Sequence, residues 1–436
     1  MCFLLALLGL IACEPSASND VPTYQSPEVP EAMQIVEMPA DQLYDKVLGA
    51  LVGSAIGDAM GAPTEMWSRH AMQVEFGHID QLDSMVREPS AEGTWGYNLS
   101  AGSTTDDTRW KALMVDFFTG ESERPQARQA ELDGKAFARL IRQRYEVGLS
   151  GLKQIDAYES EPYEAQMREL LWLKEWAMVA KPYEEGDLQA YSDALNRFYG
   201  GEMVCAGMLW SPMVGVMYPG DPAWAYEQTF AINAYDLGYA QDISGLTASL
   251  VAAAMHPQSS PDSILGVMRS VDPRGYFRSR LVGRTAYKLF QEARYLVATA
   301  REVNPADVLK DPPVKLALPL KTQADSIRYA QWSTAYQQLD HNLRSYPFHP
   351  AEIHLVNLTA LMITDFDFQL ALEFVINFGR DNDTTAAVTG AILGAMHGAE
   401  ALPPKLVQQT LASNRELGLD LEQMAQRLVE SMEREL

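Results

Sequence analysis

The chain has 436 residues, 47% of them hydrophobic and 21% charged, a composition ordinary for a soluble protein and sufficient for one large domain or two smaller ones. Its formal net charge of −24 opposes non-specific association with nucleic acid or anionic lipid, because like charges slow the encounter. A small anionic ligand is not excluded, since a local pocket can oppose the global field.

The first residues, MCFLLALLGLIAC, hold an apolar run too short to span a bilayer, which takes about 20 residues, and they read as a signal-peptide core. Leu10-Ile11-Ala12-Cys13 resembles the lipobox of bacterial lipoproteins, in which the cysteine becomes the lipidated first residue. Residues 1–13 are therefore expected to be removed up to Cys13, leaving a protein anchored by lipid in the bacterial cell envelope, at the outer membrane or the periplasmic face. That anchor is the only membrane contact expected. Cleavage leaves Cys13 and Cys205, with Cys13 occupied by lipid, so no disulfide framework follows. Residues 14–40, rich in Pro, Ser and acidic groups, read as a flexible linker.

From Asp41 to Leu436 apolar residues recur at spacings of three and four, with few β-branched runs, which predicts one compact all-α domain. Helices are expected at about 41–60, 107–119, 164–180, 223–235, 243–255, 283–301, 323–340, 367–378, 384–398 and 420–434. The charged, tyrosine-rich region 120–200 and the proline-bearing stretch 303–322 read as elaborations on this helical core. The last segment, LEQMAQRLVESMEREL, is amphipathic and is expected to pack on the domain surface.

Two helices carry glycine every fourth residue: Gly49, Gly53, Gly57 and Gly61 in the first, and Gly390, Gly394 and Gly398 in a late one. Each glycine costs a helix roughly 1 kcal/mol relative to alanine, so the stripes need a packing reason, and close approach of two helix backbones supplies it. Asp58 interrupts the first apolar stripe, which requires a hydrogen-bonding or chemical role, and Glu65 follows in the loop GAPTEMW.

The segment AGSTTDDTRW sets Thr104, Thr105, Asp106 and Asp107 before an apolar helix, where hydroxyls cap and carboxylates suit the helix dipole. Capping alone does not account for adjacent aspartates flanked by hydroxyls on both sides. The same chemistry recurs in GRDNDTTAAVTGAILGAMHG, with Asp381, Asp383 and Thr384 at another helix start. Two such clusters of hard oxygen ligands can converge on a pair of divalent cations. Magnesium suits them, whereas the EF-hand spacing of a calcium loop is absent. No His or Cys lies at zinc-ligand spacing in either segment, and His397, some three turns into its helix, reads as a packing residue or one supporting the ligands from behind.

In three ordered motifs, GALVGSAIGDAMGAPTE, STTDDTRW and FGRDNDTTAAVTGAILGAMHG, the chain resembles the ADP-ribosylglycohydrolase family over about residues 43–400. The resemblance implies an all-α fold with a centre of two Mg2+ ions at helix N-termini, for which Mn2+ can substitute. It implies Thr105, Asp106, Asp107, Asp381, Asp383 and Thr384 as ligands, with Glu65 and Asp381 acting on the reaction. Arg380 stands where the family usually has glycine, and Asn382 where it usually has threonine. These departures mark both as candidate substrate contacts, with bracing of a carboxylate the other reading of Arg380. The middle segments GGEMVCAGMLWSPMVGVMYPG and INAYDLGYAQD also depart from the family pattern.

The implied reaction is hydrolysis of the glycosidic bond, to nitrogen or oxygen, between ADP-ribose or a related ribosyl group and an acceptor. The expected partner is an ADP-ribosylated protein or a small ADP-ribosyl conjugate, not a nucleic acid, and the protein is expected to be a monomer. The alternatives are a non-catalytic ADP-ribose-binding or structural member of the same fold, and a phosphoesterase using the same metals.

Overall fold

The computed structural model describes residues 38–84, 99–120, 131–155 and 163–433, apart from 164, 165, 168 and 169. The expected signal peptide, and the linker up to residue 37, lie outside the described residues. Among those described, the architecture is helical throughout, and no helix is long and apolar enough to cross a membrane.

The glycine-striped helices Ala40–Gly61 and Asn382–His397 form the centre and make the most extensive helix-to-helix contact in the fold. A Cβ at Gly49 would overlap the carbonyl oxygen of Gly394, one at Gly53 that of Gly390, one at Gly57 that of Ala386, and one at Gly61 the backbone of Asp383. The order of these pairs makes the two helices antiparallel. The missing side chains let their backbones touch, closer than side chains ordinarily permit. As a result the C-terminal end of the first helix, which leads to Glu65, meets the N-terminal end of the second, which carries Asp381 and Asp383.

At the opposite end the pair is locked by buried Lys46. Its ammonium donates to the carbonyls of Ala395 (2.8 Å) and Met396 (3.0 Å), and to that of Ala254 at the end of the Ala240–Ala254 helix (3.1 Å). Carbonyls at helix C-termini lack partners within the helix, which is what a buried cation can satisfy. The helices Ala240–Ala254, Pro350–Ile363 and Phe368–Phe378 pack mainly against the second helix of the pair, and Asp106–Thr119, Pro404–Glu416 and Leu421–Glu433 mainly against the first. The last helix buries Leu421, Met424, Ala425, Leu428 and Val429, as its amphipathic pattern predicts.

Most expected helices are present within a few residues of their predicted ends. In the one expected at 164–180, residues 166, 167, 170 and 171 are helical, a turn at 172–173 interrupts it, and a further helix runs from Lys174 to Glu185; residues 164, 165, 168 and 169 lie outside the described residues. Helices at Gly134–Leu152, Pro350–Ile363 and Pro404–Glu416 were not expected. Pro350–Ile363 is buried on nearly every side, so it has no polar face to produce a stripe. Region 120–200 is also more than an elaboration: Trp176 is buried against Trp110, Trp210 and Phe198 in the main core.

Candidate metal centre and cleft

Asp58 is fully buried near the end of the Ala40–Gly61 helix and meets the start of the Asp106–Thr119 helix. Its Oδ1 accepts from Thr105 N (3.0 Å) and Thr105 Oγ1 (2.9 Å), and its Oδ2 from Thr108 N (3.0 Å) and Thr108 Oγ1 (2.6 Å). Donors on both oxygens at a helix N-terminus make a buried carboxylate tolerable. Burial, with Asp107 nearby, pushes its carboxyl up to about 7. The hydrogen-bonding role is thus realised: Asp58 holds the threonine-aspartate turn against the central helix pair.

That turn meets the second cluster across the helix interface. Thr384 Oγ1 donates to Asp107 Oδ2 at 2.9 Å, and Thr105 Oγ1 lies 3.5 Å from Asp383 Oδ2. The other oxygen of Asp107 accepts from the buried ammonium of Lys111 at 2.9 Å. One carboxylate oxygen from each of Glu65, Asp381 and Asp383 lies within 4.8 Å of the others. Thr105, Asp107, Asp381, Asp383 and Thr384 are buried, while Asp106 and Glu65 are half-buried and line a cleft. His397 is at the far end of its helix, roughly 22 Å along the axis, where Nε2 pairs with the carbonyl of Phe366.

Burial and then the charge of Glu65 push the carboxyls of Asp381 and Asp383 well above the usual range. Asp383 Oδ1 is buried and has no hydrogen-bond partner among the described residues. Crowded carboxylates with an orphaned oxygen are unfavourable unless a cation is shared between them. The donors are carboxylates and hydroxyls, the hard oxygen set that magnesium prefers, so these residues fit the metal that the resemblance implies.

The cleft beside this cluster has a lining of two kinds: Glu65, Asp106, Asp381 and Thr384 are polar, whereas Met66, Trp176, Tyr199, Cys205, Leu209 and Phe348 are largely apolar or aromatic. It continues past Asp106, Trp176 and Tyr199 to Lys174 and Glu175 at the surface. Cys205 Sγ is 4.0 Å from Asp381 Oδ2, so the fold brings a thiol to the cluster although none is near in sequence. Burial, followed by the charge of Asp381, pushes that thiol well up. The wall is braced from behind by buried Asp236, which accepts from Gly207 N (2.8 Å), Asn233 Nδ2 (2.5 Å) and Ser244 Oγ (2.5 Å). The two middle segments that depart from the family pattern are therefore joined to each other.

Arg380 and Asn382 do not line the cleft. The Arg380 guanidinium makes a two-pronged pair with Glu352 (2.7 and 2.9 Å) and donates to the Arg344 carbonyl (2.8 Å). Asn382 is fully buried, and its Nδ2 donates to Thr64 Oγ1 (2.9 Å) and the Ile376 carbonyl (3.2 Å), steadying the turn before Glu65. Both residues brace the site in this geometry. The wall residues Trp176, Tyr199, Cys205 and Phe348 were not singled out from sequence, and no periodicity or spacing links them.

The chain is 24% identical over 382 residues to "Uncharacterized protein YegU" of Escherichia coli (strain K12), a match covering 85% of this chain and 93% of that protein. A solved structure described as "ADP-ribosylglycohydrolase-related protein complex" shares the fold, with a TM-score of 0.52 at 14% identity, over 90% of this chain and 99% of its own. The sequence profile for ADP-ribosylglycohydrolase matches residues 39–435, nearly all of the described domain. A helical fold, an acidic cluster at facing helix ends and a match of this extent lead to one conclusion: the chain belongs to the ADP-ribosylglycohydrolase family and is a glycohydrolase-type enzyme.

Proposed function

We propose that this protein is a magnesium-dependent hydrolase that cleaves the glycosidic bond between ADP-ribose, or a related ribosyl group, and a nitrogen or oxygen acceptor. The observation that carries the reading is the meeting of two aspartate-threonine clusters, joined by Thr384 to Asp107, at the floor of a cleft. Thr105, Asp106, Asp107, Asp381, Asp383 and Thr384 would hold two ions. Bound there, magnesium would supply Lewis acidity toward ribose hydroxyls and a water of lowered pKa.

The chain's own groups do the rest. Asp381 accepts the proton of the attacking water as the water oxygen bonds to the anomeric carbon and the bond to the acceptor breaks. Glu65, half-buried at the cleft, can relay that proton to the departing nitrogen or oxygen. The carboxylates around the anomeric carbon favour an oxocarbenium-like transition state. Trp176, Tyr199 and Phe348 offer ring faces and edges to the base or the acceptor and displace water from the reacting bond.

The test is a product-resolved screen of ADP-ribosylated peptides and free ADP-ribose conjugates, with and without Mg2+, with Asp106→Ala as the blank. Magnesium-dependent release of ADP-ribose supports the reading. Binding without turnover on any acceptor would favour the non-catalytic alternative, and release of phosphate or AMP a phosphoesterase. Asp381→Asn is expected to reduce turnover by at least about 100-fold with metal bound; full activity at full metal occupancy would remove the proton-accepting role. The same proposal includes attachment to the cell envelope through lipidated Cys13, which mass spectrometry of the mature N-terminus would test.

A further inference from the structure

Arg380 and Met66 are both non-glycine residues in the left-handed region, with φ of 70° and 64°. They are bound to each other: Met66 N donates to the Arg380 carbonyl (2.8 Å), and Arg380 N donates to the Trp67 carbonyl (3.1 Å). Such backbone persists only where surrounding contacts over-determine it, and glycine would adopt it without strain. The retained side chain therefore needs a reason.

Its contacts supply one. The guanidinium grips buried Glu352 with two hydrogen bonds and the carbonyl of Arg344 with a third, and Glu352 Oε2 also accepts from Arg344 N at 2.7 Å. Arg344 belongs to the connection between the Gln323–Asp340 and Pro350–Ile363 helices, which also carries Phe348. The Phe348 carbonyl accepts from Cys205 N at 3.0 Å, and both residues line the cleft together with Glu65 and Asp381, the Cys205 thiol lying 4.0 Å from Asp381 Oδ2. Arg380 thus touches the Glu65–Trp67 turn with its backbone, precedes Asp381 in the chain, and reaches the connection that carries Phe348 with its side chain.

We propose that the Arg380–Glu352 pair is a clamp that sets the width of the cleft, holding the Phe348–Cys205 wall against the Glu65–Asp381 side. Arg380 is a positioning residue, and the clamp restricts the acceptor end of the substrate to groups that fit between the two sides. That consequence for specificity rests on the hydrolase reading; the closure of the wall does not.

The test uses Cys205 as a reporter in the full chain. N-ethylmaleimide is applied, and modification of the Cys205 peptide is followed by mass spectrometry beside thermal melting. The variants are Arg380→Lys, Arg380→Gly, and Arg380→Gly combined with Glu352→Gln, the last removing the carboxylate left unpaired. In Arg380→Gly and the double variant, the Cys205 modification rate is expected to rise about tenfold or more, as loss of a charge-assisted hydrogen-bonded pair shifts local opening. Arg380→Lys, which retains one prong, is expected to stay closer to the original rate. In an active preparation KM is expected to rise more than kcat falls, which general destabilisation would not produce. An unchanged Cys205 rate in the folded double variant overturns the clamp whatever the activity. A raised rate in a protein that turns over no conjugate leaves the clamp standing and sinks the hydrolase reading.

Discussion

At the scale of single residues, the chemistry depends on groups held in states that are unfavourable in isolation. Asp383 has one oxygen near Thr105 and the other buried without a partner among the described residues. Asp383→Ala is expected to lower magnesium affinity by at least about 100-fold, read by calorimetric titration, since the ligand itself is removed and not only its support. Affinity equal to the original would take Asp383 out of the ligand set. His354 is a second unfavourable group, unconnected with the cleft. It is fully buried, neither ring nitrogen has a partner among the described residues, and burial, then the charge of Arg284, lowers its pKa from 6.5 to about 3. Between those values the unfolded chain binds a proton that the folded protein refuses. Stability therefore falls as pH drops from about 6.5 toward 3, and this group contributes no slope above that window. His354→Leu is expected to recover about 2 kcal/mol at pH 5 relative to its effect at pH 7, measured by denaturant unfolding at both pH values. Equal effects at the two pH values would contradict that account. The two clusters of Thr105, Asp107, Asp381, Asp383 and Thr384 were legible in sequence because carboxylates and hydroxyls crowded at a helix start exceed what capping needs. Asp58 was legible only as an anomaly, because its four donors come from Thr105 and Thr108, on a different helix.

At the scale of elements, the glycine stripes are the local signal that reported most directly on tertiary structure. Their cost to an isolated helix is offset by backbone contact between the two central helices, so replacing a glycine there and elsewhere should have opposite effects. Gly390→Ala forces a methyl into the Gly53 carbonyl and is expected to destabilise by about 3 kcal/mol, with weaker magnesium binding as the helix ends separate. Gly266→Ala, in the Pro261–Ser270 helix with no atom beyond its chain neighbours and its own helix backbone within 4 Å of the added carbon, is expected to stabilise by about 0.5–1 kcal/mol. Thermal unfolding of both decides the matter, and a tolerated Gly390→Ala would mean that the helices are not in backbone contact. Pro350–Ile363 shows the reverse case. Its sequence has no stripe because it is buried on nearly all sides, so periodicity could not reveal the helix that supplies Glu352 to the clamp.

For the whole molecule, the central helix pair is held at one end by Lys46 and converges at the other on the acidic cluster, so a cation bound there, as proposed, would be linked to folding. Magnesium at roughly 100 times its dissociation constant is expected to add about 2.7 kcal/mol of stability and to raise the melting temperature by several degrees, an effect reversed by EDTA. The gain should shrink at pH 5, where protons compete for carboxylates whose affinity for them is raised. No magnesium effect at pH 8 would count against the metal centre. The sequence by itself determined the helical class, the two clusters of carboxylates and hydroxyls and the presence of two close-packing helices, because each is written in residue types at short, regular spacing. Tertiary structure alone decided the antiparallel register that sets Gly61 on Asp383, the approach of Cys205 to Asp381 and the aromatic residues that line the cleft with Glu65. It also turned Arg380 toward Glu352 and away from the cleft. Those contacts join residues tens to hundreds of positions apart, and their energy comes from packing summed over several elements, which no local pattern of residues records.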